Sequence, residues 1–472
     1  MKENIKMKRK SFLIVGVLLS VLLLSSCEDR TELTAPNPQQ GNVDFTTFVS
    51  IGNSLTAGYQ NSSLYESAQI YAFGNLIAQQ VGTSYAQPII SDPGTVGRIE
   101  IKSLYPSLTL TYNMSAGSTK NLSWPKPYNN LGIPGIVLAD VLTATETANS
   151  YSKSGAIDLI LRKMGTTQLT QAISLNPTFI TLWIGNNDVL GFATSGGAKP
   201  ASPTDAQVFT GLYSQLADAL AATGAKVVVG NIPDVTTIPF FTTVGPALAQ
   251  SLTANQVPGI YYQQHGQFSG SVLPVSALAN YSVLITLLGS NYAPYIGYPS
   301  GKFYKDNNAD ITLLIAGGIL DTTQAFALSP KNPWPDALIL DAEEIVTAKN
   351  TTAAFNSTIA TIASAKGFGL ADINALLNQI RATDATGGTT YDGVAFATTY
   401  VTGGLFSLDG VHPTSRGQAV IANEFIKAIN AKWGTSIVQV NISLIPGSLI
   451  LAKMNSHGIP IFEKGTFDNL LL

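Results

Sequence analysis

The feature that most constrains this chain is a recurring unit: a short, mainly apolar run that stops at a turn and is followed by helical spacing. Phe48-Val49-Ser50-Ile51 stops at Gly52, and the run 178–184 stops at Gly185. Lys226-Val227-Val228-Val229 and the stretch 368–372 repeat the pattern later. Apolar runs this short read as strands, and strands with no alternating polar face are buried on both sides. The intervening stretches carry helical spacing. Ile70, Phe73 and Ile77 share a face, a helix follows the turn at 130–135 through about Thr147, and Val208, Leu212, Leu216 and Leu220 recur every four residues. Long helices are expected at about 341–366 and 414–433. Strands alternating with helices define an α/β protein with a central parallel sheet flanked by helices.

Two segments interrupt this alternation. Residues 82–128 contain two stretches, 98–102 and 108–112, that alternate apolar and polar side chains, the pattern of a half-buried antiparallel hairpin. Residues 233–335 are rich in aromatics, Pro and Gly, with Phe240, Tyr261, Tyr292 and Tyr304 among them. This second insertion reads either as a lid or wall beside the site or as a satellite core of its own. The folded domain is expected over 45–436, and 437–472 is an extension without a clear period.

The N-terminus is of a different kind. Lys8, Arg9 and Lys10 precede an apolar run from Phe12 to Leu24, too short to span a bilayer but of the length of a signal-peptide core. It ends in Leu24-Ser25-Ser26-Cys27, which resembles a bacterial lipobox. That resemblance implies a signal peptide over 1–26, lipidation of Cys27, a polar tether over 27–44, and an exported protein held at the outer membrane or cell surface. Cys27 is the only cysteine, so the chain makes no intrachain disulfide. Charged residues are 12% of the chain, about half the usual share, and the net charge is −3. No basic field exists to hold nucleic acid.

Four local features carry chemistry, and their order matters. Gly52-Asn53-Ser54-Leu55 sits where the first strand meets a helix, at the sheet edge where open α/β folds bind ligands. Gly135 opens a later helix and lets a backbone N–H approach a substrate oxygen. Gly185-Asn186-Asn187-Asp188 follows a buried strand and offers an amide donor. Asp409-Gly410-Val411-His412 places a carboxylate and an imidazole three residues apart, where the carboxylate can fix the tautomer and leave Nε2 free to take a proton. Each feature alone also has an ordinary structural reading, as a capping serine, a turn glycine, an Asn-rich turn or a chance pair.

Taken in order, these blocks resemble those of the SGNH (GDSL-like) hydrolase family over about residues 45–433. The resemblance implies a three-layer, flavodoxin-like α/β/α fold. It implies Ser54 as nucleophile, His412 as general base and then acid, and Asp409 as its orienting partner. It also implies an oxyanion hole from the Ser54 and Gly135 N–H groups and the Asn187 side chain. The expected activity is that of a carboxylic-ester hydrolase acting on a lipid, an acylated glycan or a small ester. An O-acyltransferase and a non-catalytic surface ligand-binding lipoprotein are the alternatives. No cofactor is expected, and no H-x-x-x-H or cysteine cluster points to a metal. Asn53 departs from the family pattern, which has Asp there.

Overall fold

The computed structural model describes residues 41–447 apart from positions 106–107, 163, 199 and 201. The expected signal peptide, Cys27 and the tether up to residue 40 lie outside the described residues, as does 448–472. In chain order the strands are β1 (Phe48–Gly52), an inserted pair β2 (Arg98–Ser103) and β3 (Thr109–Asn113), then β4 (Phe179–Trp183) and β5 (Lys226–Gly230). A second inserted pair follows, β6 (Gly259–Gln264) and β7 (Gln267–Pro274), with the short β8 (Leu284–Ile285) and β9 (Ile339–Leu340). The last strands are β10 (Gly369–Ala371) and a small hairpin, β11 (Thr389–Tyr391) and β12 (Val394–Phe396).

β1, β4, β5 and β10 form a parallel sheet in that order. A further segment, 129–133, runs parallel along the free edge of β1. Ser50 N–H donates to Asn129 O, while Leu131 N–H and Ile133 N–H donate to Ser50 O and Gly52 O. Counting that segment second, the strand order is 2-1-3-4-5, the flavodoxin-like order, whose switch point lies between β1 and β4. Every residue of β1 and β4 is buried, as expected of strands covered on both faces.

Helices cover the two faces. Phe179 and Trp183, on one face of β4, pack against Trp433 and Phe425 of helix Ser415–Trp433, where Phe73 of helix Phe73–Val81 also stacks on Phe425. In the opposite layer Phe209 of helix Ala206–Ala221 stacks on Phe355 of helix Ala342–Lys366, with ring centroids 3.8 Å apart. Among the described residues no helix is long and apolar enough to cross a membrane.

Several boundaries differ from the sequence expectations. Val43 is buried, so the fold begins inside the stretch assigned to the tether. Ile437, Val440 and Ile442 join the main core, and Asn423 exchanges two hydrogen bonds with the Val440 backbone. The start of the C-terminal extension therefore belongs to the domain. The helix after Gly135 spans only Leu138–Thr143, because the Thr-rich stretch beyond it has weak helix propensity. The second insertion runs on to β9, which pairs with β8. Ile70 and Val208 are exposed rather than on the buried faces.

The first insertion is the expected hairpin, with β2 and β3 antiparallel. Most of the second builds its own core around Ile260, Leu278, Phe326 and Trp334. The β6–β7 turn meets the start of helix Ala342–Lys366 and the end of the insertion itself. His265 Nε2 lies 3.0 Å from Asp341 Oδ2, and Gly266 N–H donates to Asp336. Asp341 also caps helix Ala342–Lys366 through its other oxygen, while Glu344 reaches back to the Asp341 N–H.

Candidate active site

β1 ends at Gly52, where a β-carbon would lie 2.2 Å from Thr56 Oγ1 and 2.4 Å from Trp183 O. Only glycine fits, and the chain turns at once into the short helix Ser54–Ala57. Asn53 Oδ1 caps that helix by accepting from Leu55 N–H at 3.0 Å. Its amide nitrogen donates to Asn186 Oδ1 at 3.2 Å, joining the β1 turn to the β4 turn. The Asn53 side chain thus serves both as cap and as a bridge across the switch point.

Ser54 Oγ lies 2.9 Å from His412 Nε2, and His412 Nδ1 lies 2.9 Å from Asp409 Oδ2. Ser54 and Asp409 are buried, and the His412 side chain is 15% exposed, so the chain of three ends at a narrow opening. Asp409 Oδ1 accepts from the N–H groups of Val411 and His412, and Oδ2 accepts from Ser62 N–H at 2.9 Å. Burial alone raises a carboxyl pKa. Here the His412 charge and these hydrogen bonds outweigh burial and hold Asp409 down to about 2. The Tyr59 ring stands edge-on to the imidazole, with centroids 4.8 Å apart.

Gly135 has φ +83, a conformation that strains any other residue. The turn around it is fixed by carboxylates. Asp140 accepts from the N–H groups of Val137, Tyr151 and Ser152, and Asp188 accepts from Leu138 N–H and Thr204 Oγ1. Burial pushes Asp188 up to about 6 against those hydrogen bonds. Asn187 Nδ2 donates to Ile136 O at 2.8 Å, which ties its amide to the Gly135 turn. The nitrogen carries two hydrogens, so one remains for a substrate oxygen. Ser54 and Asn187 line one apolar pocket, and Asn187 and Gly135 line a neighbouring open cleft.

The structure thus brings Ser54, Asn187, Asp409 and His412 to one edge of the sheet, with Gly135 beside Asn187. It also shows residues that sequence reasoning missed. Asn61 and Ser62 form a two-residue turn between Gln60 and Ser63, with φ values of +52 and +58. That turn aims the Ser62 N–H at Asp409. Asn61 is fully buried. Its backbone N–H donates to Ser407 Oγ and its Oδ1 accepts from Leu408 N–H. Its carbonyl accepts from Ile99 N–H of β2, so the first insertion supports the turn that holds Asp409. An Asn-Ser pair signals a turn, but nothing in it names a target almost the whole domain away.

Of the aromatics expected to wall the site, Tyr292 is buried in the satellite core, and the Ser54 pocket is walled by Pro233, Val235 and Ile238 from the start of the insertion. The first residues of the insertion line the Ser54 pocket, and much of the rest packs into a core of its own.

A family model of the GDSL-like lipase/acylhydrolases matches residues 48–425, and the chain belongs to that family. No curated protein matches the chain. Membership supports an ester hydrolase or an acyltransferase of that family.

Proposed function

We propose that the protein is a serine esterase that cleaves carboxylic esters through an acyl-Ser54 intermediate. The observation that carries this reading is the unbroken chain from Ser54 Oγ through His412 to Asp409, with both links at 2.9 Å. Ser54 attacks the ester carbonyl while His412 Nε2 takes its proton. Asp409, anionic at any physiological pH, stabilises the imidazolium. The tetrahedral oxyanion sits on the Ser54 and Gly135 N–H groups and the free Asn187 amide hydrogen. His412 then protonates the leaving alcohol. Water, activated by the same imidazole, releases the acid and restores Ser54. Removing the Asn187 amide costs roughly 3 kcal/mol of transition-state stabilisation.

The N-terminal sequence supports a second part of the proposal: cleavage after Ser26 and acylation of Cys27, which holds the enzyme on a membrane surface. Two or more acyl chains suffice for firm attachment.

Turnover of p-nitrophenyl esters by the purified protein, beside Ser54→Ala, tests the esterase reading. Hydrolysis by the wild type and none by the variant is the expected outcome. Equal rates in the two proteins would sink it. An added alcohol acceptor in the same assay separates hydrolysis from acyl transfer by the products formed.

A further inference from the structure

We infer that residues 311–320, a segment of the second insertion, dip into a lipid surface and give the protein a membrane contact separate from the proposed attachment at Cys27.

Ile311 to Leu320 carries no charge and one polar side chain, that of Thr312. A stretch of this composition ordinarily packs inward. Here it does not. Helix Thr312–Ala316 has no buried residue. Leu313 is 84% exposed, and Ile315 and Ile319 are each 47% exposed. Leu320 is buried and joins the segment to the body of the protein. Three aliphatic side chains so close in the chain form a patch rather than a scatter, and exposed apolar patches mark contact surfaces.

The backbone of the segment suits a lipid phase. The N–H groups of Ile315, Gly317 and Gly318 donate to the carbonyls of Ile311, Leu313 and Ile315, and those of Ile319 and Leu320 both donate to Leu314 O. Thr312 N–H donates to Asp310 Oδ1 at 3.0 Å. Hydrocarbon offers a backbone group no partner, so a segment enters it at low cost only when its polar groups are paired internally. Where the chain leaves the segment, Phe326 N–H donates to the carbonyl of Tyr298, whose side chain is 67% exposed. A tyrosine suits the headgroup level, with its ring toward hydrocarbon and its hydroxyl in water.

The charges flanking the segment balance: Lys302, Lys305 and Lys331 stand against Asp306, Asp310 and Asp321. The contact therefore needs no anionic lipid and fits a zwitterionic surface. A second copy of the chain fits less well. A stable dimer buries about 800 Å² on each partner, and three side chains on one short segment fall well short of that. For a lipid phase they suffice once the chain is held at the surface, because the segment then meets the bilayer at high effective concentration.

The test uses the chain from residue 28, which keeps every described residue and lacks the only cysteine. An N-terminal hexahistidine holds it on phosphatidylcholine vesicles that contain a nickel-chelating lipid, so the outcome depends neither on acylation of Cys27 nor on the esterase reading. Leu313→Cys carries a solvatochromic dye. Leu444→Cys, at a position 78% exposed on the main domain, carries the same dye as control. The expected result is blue-shifted emission from position 313 that nitroxides on the lipid acyl chains quench and that high salt leaves unchanged. Emission from position 444 stays as in water. Ile315→Asp together with Ile319→Asp should lower the blue-shifted fraction at position 313 at least about tenfold. Emission from position 313 that stays as in water on the vesicles would overturn the proposal. A blue shift that acyl-chain nitroxides fail to quench would overturn it too, in favour of a contact between copies of the chain.

Discussion

Asp409 accepts three backbone N–H groups and the imidazole on two oxygens, and this explains why a buried carboxyl stays so acidic. Its folded value lies below the ordinary 3.8, so the stability it adds is present above that value and is lost as the pH falls through about 2. Acid inactivation above about pH 4 therefore does not come from Asp409. Ser62 supplies one of the three N–H groups only because Asn61 fixes the turn. Asn61→Ala should lower kcat by about tenfold or more while leaving KM within about twofold, since a misplaced orienting carboxylate weakens the transition state and not the ground state. A rise in KM with kcat unchanged would show that Asn61 does not position Asp409. At this scale the sequence was legible where chemistry is local. Asp409 and His412 are three residues apart on one turn, and Ser54 and Asn187 each follow a buried strand. Asn61 was not legible, because its partners, Ser407 and Leu408, are fixed only by the folded chain.

Among the elements, strands were read more surely than helix faces. A buried strand shows as an apolar run whichever side chain faces which layer. A helix face needs the right period. Val208, Leu212, Leu216 and Leu220 repeat every four residues, which drifts by about 40° per repeat on a 3.6-residue helix. The buried face instead begins at Phe209 and continues through Tyr213 and Leu216 to Leu220, and Val208 is 54% exposed. Phe209→Ala should cost about 3–5 kcal/mol through the lost stack on Phe355 and the cavity left behind, whereas Val208→Ser should stay within about 0.5 kcal/mol. Urea unfolding of the two variants checks the assignment.

The junction of the second insertion adds a pH dependence. Burial raises Glu344 to about 7, and the charges of Asp341 and Asp336 add to this against the Asp341 N–H bond and His265. Glu343 also faces the cluster through His265. The folded value lies above the ordinary 4.5, so this contribution is full below about pH 4.5 and is lost as the pH rises through about 7. The partial burial of His265 is outweighed by the Asp341 carboxylate, so its pKa is raised and it acts in the same direction. The urea midpoint should fall between pH 5 and pH 8, and Glu344→Gln should flatten that fall. A variant with the wild-type slope would place the pH dependence elsewhere.

For the whole molecule, the α/β fold with two insertions follows from the alternation of runs, and the family relationship agrees with it. What the sequence hid were contacts without a period. Ile437, Val440 and Ile442 pack on the core through a segment with no regular repeat, so nothing in their spacing announces burial. The β2–β3 hairpin read as extra material, yet its Ile99 and Ile101 pack on Leu408, next to Asp409. The proposed attachment at Cys27 is tested in cells. Metabolic labelling with an alkynyl palmitate should tag the wild-type protein and leave Cys27→Ser untagged. Equal labelling of both would place the lipid elsewhere.

Whether Ser54 is the nucleophile of an esterase is read out by fluorophosphonate labelling of the purified protein followed by mass mapping of the modified residue. A single adduct on Ser54 is expected, absent from Ser54→Ala and slowed in His412→Ala. Labelling at another residue, or no labelling of a folded protein that still turns over esters, would contradict it.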